Sequence, residues 1–238
     1  MTETTHHIRF GQREISYKLI RRPRKTLEIA VEPDTTVVVV APLEASLEAI
    51  ETRLRKRASW IIRQQRHFSQ FLPRTPKRRY LSGETHLYLG RRYRLKVIPH
   101  DKQFLKLSRG IMLVGTPHHR RSEAIRKLLE NWYRERAHIK FPERVERCLG
   151  FFPDAEAFCP ADLIIREMKK RWGSLSPSGR LVLNLQLIKA PVDAIDYVII
   201  HELCHKTAPH HDATFYGLLK RIMPDWERRK QRLEQALA

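Results

Sequence analysis

Toward the end of the 238-residue sequence, His201 and His205 stand four residues apart in "HELCH", with Glu202 directly after the first. On a helix such a pair shares one face, so both imidazoles can hold one ion. Glu202 lies about a quarter-turn round, within reach of a water held by that ion without being a ligand. Neutral imidazoles suit zinc, which keeps a position open for water when three protein groups bind it. The ion lowers the pKa of that water, and Glu202 is the base that takes its proton. The third ligand is sought in "KTAPHHDATFY" just beyond. Pro209 ends the helix and forces a turn. His211 stands six residues after His205, as in the longer HExxHxxGxxH pattern, although Ala208 occupies the place of its glycine. Spacing favours His211, with His210 as its rival, and the expected content is one zinc per chain.

The elements that position these residues follow from hydrophobic periodicity. In "AIDYVIIHELCHKT", Ile195, Ile199 and Leu203 line the face opposite the histidines, which anchors a helix over about 193–207 in a core. Cys204 points away from Glu202 and is read as a small packing residue. Two more helices are expected at roughly 212–222 and 225–237, the second after Pro224. Upstream, "KKRWGSLSPSGR" reads as a loop and "LVLNLQLI" as a strand. Phe215 and Tyr216 are expected to pack behind His211. A long helix is expected over about 122–149, preceded by short strands in "THLYLG", "RYRLKVIP", "QFLKLS" and "IMLVG". The first part of the chain alternates as strands through "HIRFGQREISYKLIRR" and "KTLEIAVEPDTTVVVVAP". A helix follows from Ser46, with Leu47, Ile50, Leu54, Ala58, Ile61 and Ile62 at helical spacing. "LPRTPKRRYLSGE", with its prolines and glycine, is the linker between an N-terminal portion, 1–75, and a core, 76–238, unless the two form one continuous domain. The order of strands and helices is α+β, not a regular βαβ alternation.

Composition narrows the classes. No apolar run approaches the length that crosses a bilayer, and "MTETTHHIRF" lacks the layout of a secretory signal. Three cysteines without a CxxC pair argue against a disulfide framework, so a reducing cytoplasm is expected. The net charge is +20, and it is lopsided. Residues 1–121 carry 26 basic and 10 acidic side chains, and 122–238 carry 20 and 16. A basic half suggests a polyanionic partner. The clusters Arg55, Lys56, Arg57 and Lys77, Arg78, Arg79 are its candidate contacts, against the plain alternative of a solvated basic surface.

The chain resembles the YgjP-like metallopeptidase domain family, zincin-like proteins related in pattern to SprT-like and WLM-type proteins. The resemblance runs from "RRPRKTLEIAVEPDTTVVVVAP" through "ASWIIRQQ", "YLGRRYRLKV" and "LLENWYRERA". It is strongest in the ordered blocks "RWGS", "LVLN", "YVIIHELCH", "PHHDATFY" and "MPDW". It implies a zincin-like metallohydrolase core after an N-terminal β-rich basic portion. It also implies His201, His205 and His211 as metal ligands, with Glu202 catalytic. Three positions depart from the family pattern: His210 stands for Asn, Asp212 for Ser, and Leu175 for the Cys of the RWGSC form. A thiol at 175 is therefore not needed here. The resemblance brings Arg171, Trp172 and Ser174 near the metal, with Arg171 placed to stabilise an oxyanion and the other two to contact substrate. The alternatives for Trp172 and Arg171 are a core plug and a surface charge.

The leading function is zinc-dependent hydrolysis of a peptide bond in a peptide or protein, with no membrane partner. One competitor is hydrolysis of a nucleotide phosphoanhydride with release of pyrophosphate. The other is a nucleic-acid-associated protein whose metal site acts on bound proteins or is structural.

Overall fold

In a computed structural model of the chain, residues 3–32, 34–70, 78–169 and 171–237 are described. They fall into two compact units, Met1–Pro76 and Lys77–Leu237. The expected boundary at 75/76 lies outside the described residues, as does the first half of the linker.

The first unit opens with strands β1 (Glu3–Phe10) and β2 (Arg13–Arg22), an antiparallel hairpin turned at Gly11. Strands β3 (Glu28–Val31) and β4 (Val37–Pro42) complete a sheet of order β1-β2-β4-β3. Alternation buries Ile15, Tyr17 and Leu19 on β2 and Val37, Val39 and Ala41 on β4. Helix α1 (Leu47–Ser69) starts at Ser46, whose hydroxyl accepts a hydrogen bond from the Ala49 amide at 3.2 Å. Ile50, Leu54, Ala58 and Ile61, on one helical face, join these strand residues in one core.

The second unit begins with β5 (Thr85–Tyr88), β6 (Arg91–Pro99), β7 (Phe104–Ser108) and β8 (Ile111–Thr116), ordered β5-β6-β8-β7. Helix α2 (Ser122–Leu149) buries Ile125, Leu129, Trp132, Tyr133, Ala137, Phe141, Val145 and Cys148, a stripe with helical period. A short helix, α3 (Ala155–Phe158), precedes a three-stranded sheet of β9 (Asp162–Arg166), β10 (Gly173–Leu175) and β11 (Arg180–Asn184), ordered β10-β11-β9. A 3-10 turn at Leu185–Lys189 leads into α4 (Val192–Cys204), and α5 (Ala213–Ile222) and α6 (Trp226–Leu237) close the described chain. Helix α4 is apolar nearly all round and buried, as a helix through the middle of a core must be. Its Asp196, 5% exposed, takes a bidentate pair from Arg144 of α2 at 2.8 and 2.6 Å. The class is mixed α+β, as the order of elements implied.

Four local expectations change. The segment read as a loop contains β10, which pairs antiparallel with β11 around a turn that uses Gly179 at positive φ. The strand expected over "LVLNLQLI" stops at Asn184, because that side chain accepts the Gln186 amide at 3.1 Å and starts the 3-10 turn. The helix carrying the histidines ends at Cys204 and not at 207, with His205 as its cap residue. Helix α3 was not anticipated; it is a single turn capped by Asp154. No helix among the described residues is long and apolar enough to cross a membrane.

Candidate active site

Three short pieces of chain set the histidines. His201 sits in the last turn of α4 and His205 caps that helix. The chain then turns, held by the Ala208 amide on the Cys204 carbonyl at 3.0 Å, and brings His211 back. Asp212 caps α5 by accepting the Phe215 amide at 3.0 Å. That cap fixes where α5 begins, and so where Phe215 lies. The Phe215 ring is fully buried, with its centroid 4.9, 4.6 and 4.7 Å from the rings of His201, His205 and His211. One aromatic ring thus backs all three imidazoles. Tyr216 meets the Phe215 ring edge-on at 5.4 Å, as expected, but is 42% exposed and so lies at the edge of the core.

One ring nitrogen from each of His201, His205 and His211 lies within 4.8 Å of the others, and no other such group of three occurs among the described residues. His210 is exposed and outside this cluster. Nε2 of His211 lies 3.0 Å from Nε2 of His201. Nδ1 of His205 faces the Ala208 carbonyl at 3.0 Å; as a donor there, it leaves the lone pair on Nε2. Burial, reinforced by the other two imidazoles, pushes His201 down to about 3. His211 is lowered as well, by burial and by His205. The depressed values of His201 and His211 favour neutral imidazoles that can offer lone pairs to an ion. The donor set fits a divalent metal ion.

Glu202 is 8% exposed and faces the β10–β11 hairpin. Burial raises its carboxyl to about 7, against the opposing pull of Arg171 and of a hydrogen bond from the Leu175 backbone. Gly173 makes the approach possible. A Cβ built there would stand 2.7 Å from Glu202 Cγ and 2.8 Å from Oε1. The hairpin is held by Asn184, which is 2% exposed with its side chain and backbone amide all bonded. Its Nδ2 donates to the Met168 carbonyl at 2.8 Å and the Arg171 carbonyl at 2.9 Å, and its backbone amide donates to Trp172 at 2.9 Å.

The hairpin, α4 and the histidines line one groove of about 990 Å³. Arg171, Trp172 and Ser174 all border it, so the structure brings these three to the same cavity as the histidines and Glu202. Arg171 is exposed, while Trp172 is half-buried and packs on the core, so Trp172 both plugs and lines. Cys204 is fully buried, and burial pushes its thiol to about 12, as suits a packing residue. The groove also contains residues that spacing did not single out: Gly173, Lys206, and Tyr197, whose ring meets His201 edge-on at 5.7 Å. The glycine within a strand was the available signal, and it was hidden because "RWGSL" read as a loop.

The basic candidates separate. Arg55 pairs with Glu51 at 3.0 Å, and Lys56 and Arg57 flank a shallow depression with Trp60, Leu27 and Ile29. Lys77 lies outside the described residues. Arg78 borders a small cavity with Lys189 and Tyr133, and the Arg79 amide bonds Glu84 at 2.6 Å. None of these five borders the groove.

A family model described as the YgjP-like metallopeptidase domain matches residues 25–236, nearly the whole chain. One solved structure is similar, the crystal structure of the metallopeptidase zymogen of Pyrococcus abyssi abylysin. The likeness covers 39% of this chain and 85% of that one, at 23% identity and a TM-score of 0.30. No curated protein matches the sequence.

Proposed function

The chain belongs to the YgjP-like metallopeptidase family, and on that premise we propose that it is a zinc-dependent hydrolase of peptide bonds, with one zinc per chain. The observation that carries the reading is the convergence of three imidazoles beside a buried carboxyl group in a single groove. His201, His205 and His211 would hold the ion. Zinc, when bound, supplies a Lewis acid that polarises a carbonyl and acidifies water.

The chain's own residues do the rest. Glu202, with a carboxyl raised to about 7, accepts the proton of the attacking water near neutral pH and returns it to the leaving amine. The Leu175 backbone and Arg171 keep enough of it ionised to act as a base. Arg171, exposed on the groove's rim, stabilises the oxyanion that develops on the carbonyl. Strand β10 is an edge strand of its sheet, and an extended peptide in the groove runs along it past Trp172 and Ser174. Three unpaired cysteines, two of them buried, support a reducing cytoplasm as its setting.

Metal analysis and turnover test the reading together. His201→Ala, His205→Ala and His211→Ala should each lose stoichiometric zinc, and His210→Ala should keep it. Glu202→Gln should keep fold and zinc yet lose at least about a hundredfold in rate. Full zinc retention in His211→Ala overturns the ligand set. Products decide the chemistry: new amines from peptides support it, and pyrophosphate from nucleotides without peptide cleavage overturns it.

A further inference from the structure

The four-stranded sheet of the second unit has one face in the core and one face outside. Register shows which side chains share the outer face. Arg94 pairs with Ile111, Lys96 with Leu113, and Leu113 in turn with Lys106. Their neighbours in register, Leu95 with Met112 and Val97 with Val114, point the other way into the core. The outer face therefore carries Arg92, Arg94 and Lys96 along β6 and Lys106 on β7, all exposed. None of the four strands contains an Asp or Glu. Over 77–121, twelve Lys and Arg stand against Glu84 and Asp101 alone.

These cations are unmatched. Several basic side chains on the helices do have partners: Arg55 with Glu51, Arg126 with Glu123, Lys140 with Glu143, Arg228 with Asp225. Among the described residues, Arg92, Arg94, Lys96 and Lys106 are in no ion pair and no side-chain hydrogen bond. Like charges gathered on one surface repel and weaken the fold, so the arrangement suits a partner that brings the counter-charge. Side chains two apart on a strand repeat at about 6.6–6.8 Å, so β6 presents a regular row of positive charge.

The spaces between the cations are apolar. Ile111 is 38% exposed and Leu113 is half-buried. At one end, the Phe104 ring lies over Gly115, where an added Cβ would stand 2.3 Å from it. His100 meets that ring edge-on at 4.9 Å, and Lys106 Nζ is 5.4 Å from its centroid. A duplex keeps its bases stacked inside and offers this apolar surface nothing. A single strand offers phosphates to the row and unstacked bases to the patches between.

We propose that the outer face of the β5–β6–β8–β7 sheet binds single-stranded nucleic acid, through phosphate contacts from Arg92, Arg94, Lys96 and Lys106 and base contacts on the apolar surface between them. The site is separate from the metal centre and does not depend on the hydrolase reading; Glu202→Gln should bind as the parent does. It also differs from the clusters at 55–57 and 77–79.

The test is fluorescence anisotropy of the full chain with labelled single-stranded DNA, single-stranded RNA and duplex DNA, over a range of salt. The single strands should bind more tightly than the duplex. The slope of log affinity against log salt should be about −0.7 for each phosphate contacted, so roughly −3 for four. The combined variant Arg92→Gln, Arg94→Gln, Lys96→Gln, Lys106→Gln should lose at least tenfold in affinity and most of that slope, with zinc content unchanged and a melting temperature no lower than the parent's. Arg55→Gln, Lys56→Gln, Arg57→Gln should bind like the parent. The RNA and DNA arms tell which sugar is preferred. Undiminished binding by the sheet variant, an equal loss in the helix variant, or tighter binding of the duplex would each overturn the proposal. So would binding of anionic phosphatidylserine vesicles through these residues without binding of oligonucleotides.

Discussion

Glu202 occupies the place where a side chain at Gly173 would have to go, and that close approach constrains the candidate base. The glycine is not there for its backbone angles, since it carries no positive φ. In a strand it costs conformational entropy that alanine would not, so what it provides is room. Gly173→Ala should overpack the contact and destabilise the protein by about 1–3 kcal/mol. In a Glu202→Ala background the same change should cost much less, because the new Cβ then has space. Denaturant unfolding of the four proteins measures this coupling without any substrate. Equal costs in both backgrounds would show that the contact does not constrain Glu202. With Glu202 intact, Gly173→Ala should keep zinc and lose turnover, because the base moves while the imidazoles stay.

At the scale of elements, two small devices join the hairpin and the histidine turn to the core. Asn184 ends β11 and ties down the carbonyls of Met168 and Arg171, so one buried amide fixes the approach to β10. Asp212 does the matching work for α5. Asp and Ser both cap a helix through a side-chain oxygen. Asp212→Ala should cost about 0.5–2 kcal/mol, and Asp212→Ser should cost little. Because α5 starts directly after His211 and carries Phe215 behind all three imidazoles, Asp212→Ala should also weaken zinc binding. Zinc titration against a competing chelator reads that effect. Unchanged zinc affinity in a measurably destabilised Asp212→Ala protein would separate the cap from the metal centre.

The whole molecule divides into two units with separate cores, one built on Ile50, Leu54 and Ile61 and one on α2 and α4. We expect a chain beginning at Arg78 to fold by itself and bind one zinc, since every residue of the groove lies in the second unit. An Arg78–Ala238 fragment that is soluble but unfolded by circular dichroism would show that the second core needs the first. The helix that carries His201 and Glu202 and is capped by His205, the α+β order of elements, and the apolar stripes of α1 and α2 are all legible in the chain. Each of these depends on a period of 3.6 or 2 residues, which is local and written directly in the chain. The tertiary fold makes Gly173–Leu175 a strand, because these three residues gain ladder partners only when β11 lies beside them. It also decided that Gly173 faces Glu202 twenty-nine positions away, and that Phe215 backs three imidazoles at once. The net charge was visible from composition, but not its organisation. Arg94, Lys96 and Lys106 become one surface only through strand register, and Arg55 is matched by Glu51 one helical turn away. Spacing along the chain fixes which side a residue faces, and contact across the fold fixes what it meets there.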